Sequence, residues 1–530
     1  MMHTIYKITL FLSFLMITAL AFAGSEAEYK KISKAWSLHA DGSQEYRFGM
    51  ELTLFTHTAM NSTYGESFIL YNPKYQKLKI HASYTKQVDG TLVETPENAF
   101  VEVLPRWAAN APAYNHLKEM VVVHTGLELG ATIYLDYSII TQPGYYPALD
   151  IQERLQETSP VKEYTVSVSV PENTPLNRNL YASSVKATES RSNGTKKVQW
   201  TLRNIPASSR ESFLPQNGEG IPCLLATTYN SQEEALSVLQ KRLIQGLKLE
   251  AKGNAEYITE NATTETEKAA IIQNHIVNNM STTAIPLEQT GYATRCCDDV
   301  LRSAYGTLAE KTQLLAVMLQ AVGIPCEIIA IYPANLKQEA CGLKAIKGLA
   351  LKATIEGKEH YLSAASLAPS TIPQRGSLDR LYTLSGEAFE VTTQPIVIKE
   401  KKAITLKADQ AKNGYIVYTL PPHATGIDTW SINRLNSKRN NLFELPSLID
   451  EEIIYTLHIE EGMKLQTPVE SFTINKPFGS YSQTIQQEGN TIEVKRKIEL
   501  KQLQYTPTAY KELRTLLIEW SQTNNILLQL

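Results

Sequence analysis

The sequence predicts a multidomain α+β protein in which a helix-rich α+β domain stands between two β-rich domains. Three observations carry this prediction. At 530 residues, the chain has material for several domains of ordinary size. From about residue 33 to 215 its apolar residues alternate with period two between turn residues, the pattern of β-sandwich strands. Three Ser/Thr-x-x-Glu capping boxes then follow between Ser231 and Glu310, where the period changes to about 3.6.

The first 23 residues read as an export signal. A basic start ending at Lys7 precedes the apolar run Ile8 to Leu20, and Ala21-Phe22-Ala23 supplies a small-x-small cleavage site. No Cys follows the apolar run to take a lipid anchor, and no later segment is an uninterrupted apolar span. The expected location is periplasmic or secreted, with no stable membrane insertion once the signal is removed. A formal net charge of -3, from 51 basic and 54 acidic side chains, argues against nucleic acid as a partner.

Residues 24–222 are expected to form an N-terminal β-sandwich domain, with a split into two sub-blocks near 142–160 at the Pro- and Gly-bearing loop. In its strands Leu78, Ile80, Ala82 and Tyr84 share one face before an Asp89-Gly90 turn, and Asn193-Gly194 turns a second hairpin returning through Val198, Trp200 and Leu202. The Ser-, Gly-, Asn- and Pro-rich stretch Ser208 to Pro222 reads as a linker.

Residues 223–385 form the predicted central domain. Ser231 with Glu234 opens a helix to about Leu249, Thr264 with Glu267 one to about Met280, and Thr307 with Glu310 a leucine-rich helix stopped by Gly323-Ile324-Pro325. A strand at Glu327 to Tyr332 and a hairpin with Glu356-Gly357 at its tip complete it. Residues 386–530 read as a β-rich domain with a terminal helix opened by Thr506-Pro507 and a last strand from Asn525. The run Lys399-Glu400-Lys401-Lys402 is expected as a solvated linker face.

Tyr305-Gly306-Thr307-Leu308-Ala309-Glu310-Lys311, the helix after it and Gly323-Ile324-Pro325 resemble the transglutaminase-like superfamily pattern Y-G-[DT]-C-x-[DE]-K, helix, G-I-P. The strands from Gly348 to Ile355 and Tyr361 to Ser363 resemble the family's H-x-x-V-x-V and Y-x-L-D segments. The resemblance implies a papain-like core, and the flanking β domains resemble the domains of unknown function found with this core in exported proteins of Gram-negative bacteria. It also implies a Cys nucleophile at a helix start, where dipole and backbone N–H groups favour the thiolate, paired with a carboxylate-oriented His.

Carried onto this chain, the nucleophile position holds Leu308, the His position Gly348 and the Asp position Ser363. All three catalytic groups are replaced. The expected function is therefore a pseudoenzyme, a binding or assembly module for a peptide, protein or glycan at the cell envelope, with no cofactor and no metal. The alternatives are an active thiol protease, amidase or transglutaminase with a displaced nucleophile, and a purely structural envelope protein. Residual candidates are Cys297 as that nucleophile and His360 as a recruited base. Asp298 and Asp299 lack the spaced acidic loop of a calcium site and read as capping or solvated residues. Cys326 and Cys341 could meet in a disulfide if their strands are neighbours. Tyr145 and Tyr146, on the Pro-Gly loop, are the candidate ligand-binding aromatics.

Overall fold

The computed structural model describes residues 25–243, 246, 248–367, 372–522 and 524–530. The expected signal segment 1–23 lies outside the described residues. Among those described, no helix is long and apolar enough to cross a membrane.

The first domain is built on one eight-stranded sheet with strands β1 (Ala27–Leu38), β2 (Gln44–Leu54), β3 (Gln76–Lys86), β4 (Leu92–Glu94), β5 (Thr132–Thr141), β6 (Val161–Pro171), β7 (Thr188–Ser192) and β8 (Thr195–Ile205), in the order β7-β8-β6-β1-β2-β5-β3-β4. β1 pairs in parallel with β6, so strands before and after the 142–160 loop lie side by side in one sheet and the expected division into sub-blocks does not occur. Two three-stranded sheets pack on it, one of Glu66–Tyr71, Lys118–Val123 and Phe100–Val103, the other of Asn177–Tyr181, Cys223–Thr227 and Asp150–Arg154. The strand Cys223–Thr227, placed by sequence at the start of the central domain, belongs here through its pairing with Asp150–Arg154. Asn193 and Gly194 both have positive φ, 50° and 72°, as the tight β7–β8 turn requires. In β3 a bulge between Ile80 and Ala82 breaks the expected alternation, so that Ser83 and Thr85 become the buried pair.

The central domain has helices α1 (Gln232–Leu243), α2 (Leu249–Ile258), α3 (Glu265–Asn278), α4 (Cys297–Ser303) and α5 (Leu308–Ala321). They pack against a sheet of β9 (Cys326–Pro333), β10 (Gly348–Ile355), β11 (Lys358–Leu362), β12 (Asp379–Thr383) and β13 (Ala388–Phe389), ordered β11-β10-β9-β12-β13. The helix expected from Ser231 to about Leu249 is α1, Gln232–Leu243, and a second helix, α2, starts at Leu249. The second, α2, receives its cap from across the domain: buried Asp298 accepts the backbone N–H groups of Leu249 and Ala251 at 3.1 and 3.0 Å. All five cysteines are free thiols, and Cys341 follows a 3-10 turn rather than lying on a strand beside Cys326.

The third domain contains β14 (Ile396–Leu406), β15 (Ile449–Ile459), β16 (Ser471–Lys476), β17 (Gly479–Glu488) and β18 (Thr491–Leu500), ordered β14-β15-β18-β17-β16, with the terminal helix α6 (Pro507–Gln522) packed on it. The charge run Lys399 to Lys402 lies within β14, an edge strand, where charged side chains discourage pairing with another chain. The stretch 208–222 is clamped to this domain rather than free: Phe213 stacks on Phe443 at 5.0 Å, and Arg439 donates to the carbonyls of Ser212 and Phe213.

In this core Glu451 is fully buried, with Oε2 accepting the Ile427 N–H at 3.1 Å and Oε1 unpartnered. Burial, together with nearby Asp428, pushes its carboxyl from 4.5 up to about 7 against the pull of that N–H, His423 and Arg496. A carboxyl raised in the folded state contributes stability below its unfolded pKa and loses it as pH rises through the folded value. Glu451→Gln is therefore expected to stabilise the protein at pH 8 by up to about 3 kcal/mol and to leave it unchanged near pH 4, measured by urea denaturation at the two pH values.

Candidate functional site

The N-terminus of α5 is held by a dense set of local and long-range contacts. Thr307 caps it by accepting the Glu310 N–H, and Glu310 reaches back to the Thr307 N–H at 2.9 Å. Gly306 permits the close approach: a Cβ there would stand 3.1 Å from Val300 and 3.3 Å from Glu310. The Glu310 side chain also binds Arg295 through its backbone N–H and through Nε and Nη2 at 2.9–3.1 Å, a charge-assisted fork. Burial alone would raise the Glu310 carboxyl, but Arg295 and the hydrogen bond from Tyr114 outweigh it and hold the pKa below the usual value. Lys311, also buried, donates to the Met280 carbonyl at 2.9 Å and to Thr282 Oγ1 at 2.8 Å, tying the helix to the short strand Ser281–Thr283.

Leu308 occupies the first helical position above this support, and its side chain is 37 % exposed. Gly348 opens β10, a strand that packs on α5, with nothing within 4 Å of where its Cβ would be. Ser363 follows β11, which pairs with β10; its Oγ accepts the Ala365 N–H at 3.1 Å and its carbonyl accepts from Gln273 of α3. Elements that adjoin one another thus carry the three positions; Leu308 and Gly348 offer no nucleophile or base, and Ser363 offers a hydroxyl that accepts the Ala365 N–H.

The residual candidates are a buried thiol and an exposed imidazole. Cys297, at the start of the seven-residue α4, is buried, and desolvation with the Asp298 charge pushes its thiol up to about 12. Burial likewise raises Cys223 and Cys326 to about 11 and Cys341 to about 12. No cysteine–histidine hydrogen bond occurs among the described residues; the sulfurs of Cys223, Cys326 and Cys341 face backbone carbonyls. These are the opposite of activated thiols. His360 is exposed on β11, across from Ala353. Asp299 pairs with Arg302 at 2.8 Å, and among the described residues no cluster of three or more His, Cys, Asp or Glu side chains could hold a metal ion.

Tyr145 and Tyr146 are not free loop aromatics. Tyr145 is buried, stacks on Tyr75 at 4.7 Å, accepts from Asn72 and donates to the Gln289 carbonyl, so it joins the first domain to the second. Tyr146 is half-buried and accepts from Gln76 at 3.2 Å.

Sequence reading missed the contribution of the first domain to α5. Tyr114, in the segment Leu104 to Leu117, donates its hydroxyl to Glu310, and the Ala113 N–H reaches the Tyr305 hydroxyl at 2.8 Å. Ala108, Ala111 and Leu117 pack there with Ile285. The Arg295 guanidinium lies over the Tyr305 ring at 4.5 Å and the Tyr114 ring at 5.4 Å. No local pattern could have revealed contacts between residues 196 apart.

Comparison with known proteins places the transglutaminase-like superfamily on residues 252–360, with a domain of unknown function (DUF3857) at 40–209 and another (DUF3858) at 415–530. Among solved structures, the chain is 60 % identical to a "putative protease" from Parabacteroides distasonis, with a TM-score of 0.90, covering 96 % of this chain and all of that one. An M1 zinc metallopeptidase from Deinococcus radiodurans matches at 12 % identity and a TM-score of 0.21, over 38 % of this chain and 42 % of that one, too remote to carry an argument. No curated protein matches.

Proposed function

The chain belongs to the transglutaminase-like superfamily, its core set between a DUF3857 and a DUF3858 domain, and from that premise we propose that it is an exported pseudoenzyme that binds a peptide, protein or glycan at the cell envelope without acyl transfer. The observation that carries this reading is Leu308: the helix start that presents the family's nucleophile keeps its capping box and buried ion pair but exposes an apolar side chain. Loss of the thiol removes nucleophilic attack on an amide carbonyl while leaving the shape around it.

The test is alkylation of the folded protein with a limiting thiol reagent near neutral pH, mapped by mass spectrometry. Cys223, Cys297, Cys326 and Cys341 are expected to react more slowly than an ordinary thiol of pKa about 8.5. Leu308→Cys is expected to create a site that labels at least about tenfold faster than any of these four, because it is exposed at a helix N-terminus. A Cβ at Gly348 meets nothing within 4 Å, and Ser363→Asp retains an acceptor for the Ala365 N–H, so Gly348→His and Ser363→Asp can be added to Leu308→Cys. Fast, selective labelling of Cys297 in the unaltered protein would sink the reading.

A second reading, an active thiol protease, amidase or transglutaminase, draws on the description of the Parabacteroides relative. It requires a reactive cysteine, so the same labelling experiment separates the two.

A further inference from the structure

Away from the α5 helix start, a cavity of about 230 Å³ lies between the large sheet of the first domain and the central domain. One wall is aromatic. Trp36, Tyr46 and Tyr137 line it from β1, β2 and β5, with ring centroids 5.3 Å apart for Trp36–Tyr46 and 6.3 Å for Tyr46–Tyr137. The space can hold a small ligand rather than a single water.

The charge of the lining is one-sided. Glu45, Asp150, Glu153 and Glu288 all face it, and Lys344 is the basic residue among its lining. Lys344 pairs with Glu288 at 3.2 Å, and Lys34 pairs with Glu153 at 2.7 Å. That leaves Glu45, approached by His39 at 3.8 Å, while buried Asp150 accepts the Lys344 backbone N–H at 2.8 Å and is also hydrogen-bonded by Thr227 and the Leu343 backbone. Desolvation by burial raises the Asp150 carboxyl to about 6, against the pull of the Lys344 N–H and charge, Thr227 and the Leu343 N–H.

A second observation is independent of the carboxylates. Tyr292 lines the same cavity, is 5 % exposed, and its hydroxyl has no hydrogen-bond partner. A buried phenolic hydroxyl ordinarily finds one. Burial puts its pKa well above the usual value, and the nearby charges of Asp150 and Glu288 add to that shift. The unsatisfied hydroxyl thus lies near the carboxylates of Asp150 and Glu288 in the same cavity.

An anion would be repelled here, and a neutral polyol would leave the charge unbalanced. A primary ammonium has three N–H donors and a positive charge, and cations also lie favourably over aromatic faces. We propose that this interdomain cavity binds a small ligand through a protonated primary amine, directed to Asp150, Glu288 and the Tyr292 hydroxyl, with the ligand's apolar part on the Trp36, Tyr46 and Tyr137 wall. The site stands whether or not the central domain is catalytic.

The test is calorimetric titration and thermal unfolding of the full chain with n-butylammonium chloride, against 1-butanol, glucose and potassium chloride of equal ionic strength. The amine is expected to bind saturably in the millimolar range and raise the Tm, with 1-butanol at least about tenfold weaker, since the alcohol brings no charge and one donor in place of three. Tyr292→Phe removes only the unpartnered hydroxyl, so it is expected to fold normally and bind the amine about tenfold more weakly. Glu288→Gln, at a partly exposed site, is the second variant and is expected to weaken binding in the same direction. The proposal is overturned by absence of saturable amine binding, by equal binding of the alcohol, by stabilisation with glucose alone, or by unchanged affinity in both variants.

Discussion

Glu310→Ala is expected to destabilise the protein by about 3–5 kcal/mol, read by urea denaturation followed by circular dichroism. The side chain is fully buried and forms an ion pair with Arg295, itself only 17 % exposed. Its removal strands the guanidinium and leaves the N–H groups of Thr307 and Arg295 without their acceptor. Breaking one side of a buried pair costs far more than the pair contributes, because the remaining charge keeps its desolvation penalty. Arg295→Ala is expected to cost a similar amount, leaving a buried carboxylate instead. The double replacement Arg295→Met with Glu310→Leu is expected to lose less than the sum of the two single losses, which identifies the coupling.

The same residue fixes a pH signature. Its folded pKa lies below the unfolded value of about 4.5, so its contribution is present above that value and is lost as pH falls through the folded pKa. Glu310→Gln is therefore expected to be less stable than the unaltered protein at pH 7, with the difference closing on acidification below about 4.5. Tyr114→Phe tests the reach of the first domain: losing one hydrogen bond to a charged group is expected to cost about 1.5–3 kcal/mol at pH 7. An unchanged stability in Glu310→Ala would show that the α5 helix start is held by packing alone.

Local signals account for what could be read from the residues in order. The Thr264–Glu267 and Thr307–Glu310 boxes start α3 and α5 because a cap is completed within four residues. The Tyr305 to Lys311 stretch led to the superfamily for a related reason: Gly306, Glu310 and Lys311 are each required by contacts close in sequence or in the adjoining strand. Features set by distant residues were hidden. Helix α2 contains Gly253 and lacks a side-chain cap of its own, because Asp298 supplies it from 49 residues beyond Leu249. The β3 bulge reverses an alternation that composition alone makes regular. Tyr145 reads as a loop aromatic until Tyr75, Asn72 and Gln289 are seen around it. The stretch 208–222 has a linker's composition, yet its backbone is the acceptor for Arg439 and its Phe213 enters the third domain's core.

That clamped stretch meets the other two domains at Glu444, and Glu444→Ala is expected to uncouple them at a cost of about 3–5 kcal/mol. Glu444 and Arg375 are 2 % and 4 % exposed and pair at 2.7 Å, with Arg375 also reaching Asp379 at 3.3 Å. Around this pair, the Gln216 N–H and the Gln504 side chain donate to Glu444, and Asn217 donates to the Leu378 carbonyl at 2.6 Å. Residues of the inter-domain stretch, the central domain and the third domain thus share one buried polar cluster. Arg375 Nη2 and Asn217 Oδ1 in this cluster have no hydrogen-bond partner, so no spare acceptor takes over the guanidinium when Glu444 is removed, and a charge left short of partners in a dry interface keeps its solvation penalty. In calorimetry, Glu444→Ala is expected to separate the unfolding of the third domain from the rest as a distinct lower transition. Trypsin is expected to cut after Arg210 faster than in the unaltered protein, because the neighbouring backbone loses its attachment. Arg375→Ala should give the same two signatures. A uniform fall in Tm with one transition and unchanged cleavage would mean that the domains are joined by the Phe213–Phe443 stack and Arg439 instead.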